Sequence, residues 1–262
     1  MQAGGVVVAS SASDANGATA DWSVSLDRER LREIAVAVLG RTFIARTLVR
    51  GLLELGVGRV VLVDVPGLAS PGLPSFPLVG LDTPVAGHGG GRLDVLPGLP
   101  PGSELRMFGA LCGTSDRGPR DALLDANRLA LRLGLPFLPV SLVGTTGHLG
   151  PLTIPRRTAC LRCALPLSSG DPSKVSGEVP FTAAGGMLGE MAALQLAKFF
   201  LRPGRDDLAG RLITMDMCAF TCTHHRVLRV PRCADCSMPS DDRTLFRMLS
   251  RKPRLGRAAV RM

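Results

Sequence analysis

Hydrophobic positions alternate between strand-like runs and helix-like periods along the chain. Asp27 to Ile34 reads as a short amphipathic lead-in. Ala35 to Leu39 is a compact apolar run ending at Gly40, the pattern of a buried parallel strand. Ile44, Leu48, Leu52 and Leu55 then share one helical face, and Gly56 closes that helix. Arg59 to Val63 is a second buried strand, ending at Asp64. Together these segments predict a βαβ unit. Residues 66–102 carry eight prolines and nine glycines, which predicts a long irregular connection. Beyond it the pattern predicts a strand over Glu104 to Leu111, a helix over Arg120 to Leu133 and a strand over Phe137 to Leu142. An apolar helix over Gly185 to Leu201 comes next, then two strands, Arg211 to Met217 and Arg226 to Val230, joined as a hairpin. The expected class is α/β with a doubly wound, Rossmann-like sheet.

Composition narrows the reading. Aromatics make up only 4% of the 262 residues, with no Tyr and one Trp, which argues against a base-stacking nucleic-acid platform. No apolar run is long enough to span a membrane, and the N-terminus lacks the basic start of a signal peptide. A cytoplasmic protein is expected. Net charge is +9, and seven of the basic residues lie between Arg243 and Arg261 against Asp241 and Asp242. Residues 1–28 and 239–262 are read as flexible tails, the second basic, flanking one domain over 29–238. Charge alone leaves nucleic-acid binding only as a minor reading.

Seven cysteines in such a compartment suit metal ligands and free thiols better than disulfides. Cys160-Leu-Arg-Cys163 and Cys233-Ala-Asp-Cys236 each offer two thiolates to one ion, and two such pairs complete a tetrahedral four-sulfur site. Residues 164–232 separate the pairs, so the ion would staple distant parts of the chain. With no position left for water, a zinc ion held there is structural. Redox dithiols are the competing reading. Cys218 and Cys222 read as small core residues, and Cys112, at a strand end, leaves room for a nucleophile. Of the adjacent His224 and His225, at most one could join a metal, and a surface or packing role is favoured. His148 reads as a loop residue.

A nucleotide-binding βαβ turn needs glycines so that phosphates can approach backbone N–H groups. Here the turn reads Gly40-Arg-Thr-Phe-Ile-Ala45, and only the first glycine is present. Asp64 stands where a ribose-binding acid would stand.

Four segments together resemble the ThiF-like family of ubiquitin-activating-type enzymes: residues 35–64, Gly147 to Cys163, the helix from Gly185 and Pro231-Arg-Cys-Ala-Asp-Cys236. Gly56-Val-Gly58 before the second strand, and Gly150-Pro151 ahead of the first cysteine pair, match that layout. The resemblance implies an ancestral adenylating site built on a glycine loop, a ribose-binding Asp with Arg, Gln and Lys soon after it, and a magnesium-binding Asp. Gly40, Asp64 and Asp116 are its counterparts here. Val65 to Ala69 offers no Arg, Gln or Lys, so the site is expected to be vestigial and ATP is not an expected cofactor.

Within the family, Asp125-Ala-Asn-Arg-Leu-Ala130, Pro136-Phe-Leu-Pro-Val140, Gly150-Pro-Leu-Thr-Ile-Pro155 and Thr158-Ala-Cys-Leu-Arg-Cys163 are similar to the ThiF-like partners of thiazole/oxazole-modified peptide biosynthesis. That resemblance implies a non-catalytic, zinc-bearing subunit that recognises the leader of a precursor peptide. A YcaO-type cyclodehydratase would use the ATP that forms azolines in a bacteriocin-type product. Homodimers are common in the family. Such partners often begin with a winged-helix module for which the residues before the first strand here are too few. Either a separate leader-binding winged-helix protein or another surface of this chain is then expected to do that work. A +9 chain suits an acidic leader. The competing enzyme reading is an active adenylyltransferase on a peptide or small-protein carboxylate, with Asp64 and Asp116 on ATP-Mg and Cys112 as acceptor.

Overall fold

Strand β1 (Ala35–Leu39) is apolar on both faces because it serves two cores. Val36 and Val38 enter one, and Ala37 and Leu39 enter the other. The computed structural model describes residues 28–65, 67–68, 90–116, 120–165, 182–201 and 208–237. Both expected tails lie outside the described residues, apart from Arg28.

A short helix, α1 (Arg28–Arg32), precedes β1. Helix α2 (Phe43–Leu55) comes after β1, capped by Thr42, whose Oγ1 accepts from Ala45 N, and ended by Gly56 at φ +101°. The chain continues through β2 (Arg59–Val63), β3 (Arg92–Leu96), a single helical turn α3 (Gly102–Leu105) and β4 (Ala110–Ser115). Next come α4 (Arg120–Leu133), β5 (Phe137–Val143), β6 (Thr146–Leu149), the short α5 (Leu161–Ala164), α6 (Thr182–Leu201), β7 (Arg211–Asp216) and β8 (Thr221–Arg226). These strands form one sheet in the order β3-β2-β1-β4-β5-β6-β7-β8. The first five are parallel and the last three continue as an antiparallel meander. Helices α2 and α6 cover one face and α4 the other, the doubly wound arrangement expected.

Four expectations need correction. The strand expected over Glu104 to Leu111 is instead α3 and then β4, which starts later, at Ala110. The second half of β4 contains Gly113, Thr114 and Ser115, so this fully buried strand does not read as an apolar run. Gly113 is small for a reason: a Cβ there would lie 2.9 Å from both Leu123 and Phe137. The irregular region 66–102 contains β3, an edge strand whose Arg92 and Asp94 hide its pattern. His148 lies inside β6, a four-residue strand too short to show a period, rather than in a loop. Finally β8 is Thr221–Arg226, not Arg226 to Val230. Beyond Arg226 the ladder with β7 stops, and the chain turns toward the cysteines, burying Val227 among them.

The α2–α6 contact is built on missing side chains. A Cβ on Gly189 would lie 2.0 Å from Thr47 Oγ1 and 2.5 Å from the Ile44 carbonyl, so α6 approaches the α2 backbone directly. Gly185, one helical turn earlier, faces Phe43 less tightly: a Cβ there would lie 3.2 Å from the Phe43 Cβ.

Candidate functional site

Strand order reverses between β1 and β4, and in such sheets the ligand crevice lies at the carboxyl ends of those strands. Gly40, Asp64 and Asp116 come directly after β1, β2 and β4, so the structure gathers all three expected positions at this one edge. Gly40 has φ +104°, and a Cβ on it would lie 2.8 Å from the Thr114 carbonyl oxygen. The close turn therefore survives at the first glycine.

Residues 41–43 fill the crevice with the chain's own groups. Thr42 Oγ1 donates to Thr114 Oγ1 at 2.9 Å and accepts from Ala45 N at 3.0 Å. Phe43 N donates to Asp116 Oδ2 at 2.7 Å, and Asp116 is 1% exposed. Two first-turn amides of α2, the groups a phosphate would use, are thus held by Thr42 and Asp116. The Arg41 guanidinium lies 3.0 Å from Asp64, on the acid that would receive a ribose. Sequence reasoning missed this pair. Its signal was present, since Arg41 and Asp64 lie just beyond the ends of neighbouring parallel strands.

The second site is the cysteine cluster. Cys160 caps α5 and Cys163 lies within it, while Cys233 and Cys236 sit in turns after β8. All four Sγ atoms lie within 4.8 Å of one another. Cys160–Cys163, Cys160–Cys233 and Cys163–Cys236 are separated by 3.9, 3.8 and 3.6 Å. A tetrahedral zinc with Zn–S near 2.3 Å would set sulfur–sulfur edges of about 3.8 Å. The four cysteines can hold a metal ion, and their all-sulfur donor set leaves no open position. Neither His224 nor His225 joins the cluster.

Burial pushes the Cys160 thiol up, and likewise moves Cys236 up to about 11. Burial also acts on Cys233, but hydrogen bonds from the backbone N–H groups of Asp235 and Cys236, together with contacts to the Cys163 and Cys236 thiols, hold that thiol low. Cys233 therefore presents a thiolate more readily than Cys160 or Cys236.

The knuckle is fastened from outside. Val230 N donates to Cys163 Sγ at 3.4 Å, and Arg229 donates to the Cys236 carbonyl at 2.9 Å. Asp235, between the second pair, has a side chain only 3% exposed. It lies 3.1 Å from Arg128 and 3.0 Å from Arg162. Buried Asn127 on α4 bridges both cysteine loops, accepting from Leu161 N at 3.2 Å and donating to Asp235 at 3.3 Å.

The remaining cysteines depart from expectation. Cys218 and Cys222 are exposed, not core, because they lie on the outer hairpin of the sheet. Cys112 lies inside β4, fully buried, and burial pushes its thiol far up, which removes it as a nucleophile or acceptor. Between the crevice and the cluster lies a pocket of about 60 Å³ with apolar walls. It is lined in part by Ser115, Ser141 and His148, the last two being direct partners across β5 and β6.

The profile of the ThiF family matches residues 105–238, half of the chain, including both cysteine pairs. The chain belongs to the ThiF family. Among solved structures, this ThiF-family chain is similar to E. coli MccB with MccA-N7isoASN, with a TM-score of 0.63 and 17% identity over 80% of this chain and 69% of that one. E. coli MccB with ATP gives a TM-score of 0.58 and 17% identity, covering 81% of this chain and 68% of that one. The heterocyclase TruD gives 0.51 and 19%, covering 86% of this chain. This chain spans only 30% of TruD's length. At such identities the likeness is one of fold. No curated protein sequence matches the chain.

Proposed function

We propose that this ThiF-family chain is a non-catalytic scaffold that recognises a precursor peptide within an azoline-forming cyclodehydratase complex of ribosomal-peptide (bacteriocin-type) biosynthesis. A YcaO-type partner uses the ATP, and a separate winged-helix protein contributes to leader binding. Cys160, Cys163, Cys233 and Cys236 hold a structural zinc, and the chain works as a homodimer in the cytoplasm. The fold likeness to MccB and TruD supports a role in peptide modification.

One observation carries the non-catalytic part. The α2 N-terminus and Asp64 are already engaged, by Asp116, Thr42 and Arg41. A phosphate would have to displace the Asp116 carboxyl from the amide it needs, and a ribose would have to displace Arg41. The Phe43 and Thr42 side chains add bulk where the glycine loops of nucleotide sites have none.

Calorimetric titration of ATP-Mg into the zinc-loaded protein tests this, and no binding heat is expected. Micromolar binding, with ATP–pyrophosphate exchange that disappears in Asp116→Ala, would establish the second reading, an adenylyltransferase acting on a peptide carboxylate. That reading draws on the retention of Gly40, Asp64 and Asp116 at one crevice.

A further inference from the structure

The two edges of the sheet are treated differently. At the β3 edge, Asp94 binds Arg92 at 2.6 Å and Arg59 at 2.8 Å, a charged guard of the kind that keeps edge strands from pairing with other chains. The β8 edge has no such guard. Its sequence, Thr-Cys-Thr-His-His-Arg, contains no Pro, Lys, Asp or Glu, and five of its six residues are exposed. Among the described residues no strand pairs beyond it.

Exposure continues past the strand. Every even position from Phe220 to Val230 is exposed, including Phe220 at 78%, Leu228 at 70% and Val230 at 44%, while Val227 is buried against the cysteine cluster. The chain thus presents an outward row of Cys222, His224, Arg226, Leu228 and Val230. Its charge is also unbalanced. Arg226 stands directly across from Arg211, both exposed, and neither has an acidic partner among the described residues. Like charges placed opposite each other on adjacent strands cost stability, and an anionic neighbour would relieve that cost. Asp216, the nearest acid in β7, is occupied in accepting from the N–H groups of Cys218 and Ala219.

We propose that the β8 edge is a docking strand for an extended acidic segment of another polypeptide. That segment adds to the sheet by backbone hydrogen bonds, sets carboxylates against Arg211 and Arg226, and covers Leu228 and Val230 with its apolar side chains. Backbone pairing supplies affinity and the alternating side chains supply selectivity. A second copy of this chain fits less well, because it would bring another Arg211–Arg226 pair to a chain already at +9. The proposal deepens the peptide-recognition reading by giving the peptide a place. It is tested separately from the nucleotide and metal sites.

The probe is a short synthetic peptide of alternating Glu and Val, titrated into the full-length protein. Alkylation of exposed Cys222 by iodoacetamide, read by mass spectrometry, serves as the footprint. Binding should slow Cys222 alkylation and weaken as salt rises. Affinity should fall about tenfold or more in Arg226→Glu, and again in Leu228→Ser, with melting temperature unchanged. A peptide N-methylated at alternate amides should lose binding, since it has no N–H groups to pair. Equal binding of the N-methylated peptide would reduce the surface to nonspecific charge attraction and overturn the proposal. So would absence of binding, or peptide-independent protection of Cys222 that rises with protein concentration, the mark of a second copy. None of these outcomes alters the ATP titration or the metal content, so the broader functional reading stands or falls on its own tests.

Discussion

Asp235 ties the second cysteine loop to the body of the protein. It is a buried acid flanked by Arg128 and Arg162, with Asn127 as a further partner, and it sits between two metal-ligand positions. Asp235→Ala leaves two guanidinium groups facing a buried void. A fully buried pair broken this way costs about 3–5 kcal/mol. Because these arginines are 38% and 33% exposed, water recovers much of that, and the loss is expected to fall well short of that of a fully buried pair. Chemical denaturation of the metal-loaded variant measures it. A change under about 0.5 kcal/mol, the level of an ordinary surface substitution, would show that Asp235 does not pin the loop. The sequence marked all four cysteines through their spacing, while Asp235, Arg128 and Asn127 stood in segments that resemble the family but carried no assigned role, because their roles depend on where α4 crosses the cysteine loops. Arg41 was legible in part. Its charge is visible in the sequence, but its closure onto Asp64 exists only once two parallel strands lie side by side.

Helices α2 and α6 show what element-level packing adds. Helix α6 is apolar nearly all round and gives little amphipathic signal, yet its glycines decide how closely it lies on α2. Gly189→Val would drive a branched side chain into Thr47 and the Ile44 carbonyl, where the obstruction is largely backbone. Overpacking of this kind costs about 1–3 kcal/mol, and Gly189→Val should reach the top of that range or beyond, as thermal unfolding would report. Gly186→Ala is the control, because a Cβ there meets Thr47 no closer than 3.7 Å. It should gain about 0.4–1 kcal/mol from helix propensity. If both variants behaved alike, the close approach would be wrong. The long elements were readable because each carries its own period: β1, α2, β2, α4, β5 and most of α6 fall where the pattern puts them. The short or central ones were not. β4 mixes Gly, Thr and Ser into a fully buried strand, β6 has four residues, and the end of β8 is set by the pull of the knuckle rather than by its own sequence.

For the molecule as a whole, the cysteine cluster joins α5, packed against the parallel half of the sheet through α4, to the segment leaving the antiparallel edge. Among the described residues the apolar cluster there is small, seven buried side chains with Leu131 and Cys236 packed against them, too few to hold two chain segments by burial alone. A structural zinc contributes about 10–16 kcal/mol apparent near pH 7, as much as the whole net stability of an ordinary domain. Chelation, Cys160→Ser or Cys236→Ser should therefore leave the chain insoluble or open to proteolysis after β8. A variant that folds normally with full metal content would falsify the four-sulfur site. The pH dependence gives a second check with a definite sign. Metal binding must strip protons from Cys160 and Cys236, which burial holds above the ordinary thiol value of about 8.5. Zinc affinity should thus rise with pH, and the zinc-loaded protein should lose metal and stability together as pH falls. In the metal-free chain those two thiols act in the opposite direction. Their contribution is complete below about 8.5 and is lost as pH rises, toward about 11 for Cys236. Cys233, held low, partly offsets this trend. Zinc affinity, measured against pH by competition with a chromophoric chelator, should therefore rise with pH, and the melting temperature of the zinc-loaded protein should fall as pH falls. A metal affinity that does not change with pH would mean that these thiols do not ligate the ion.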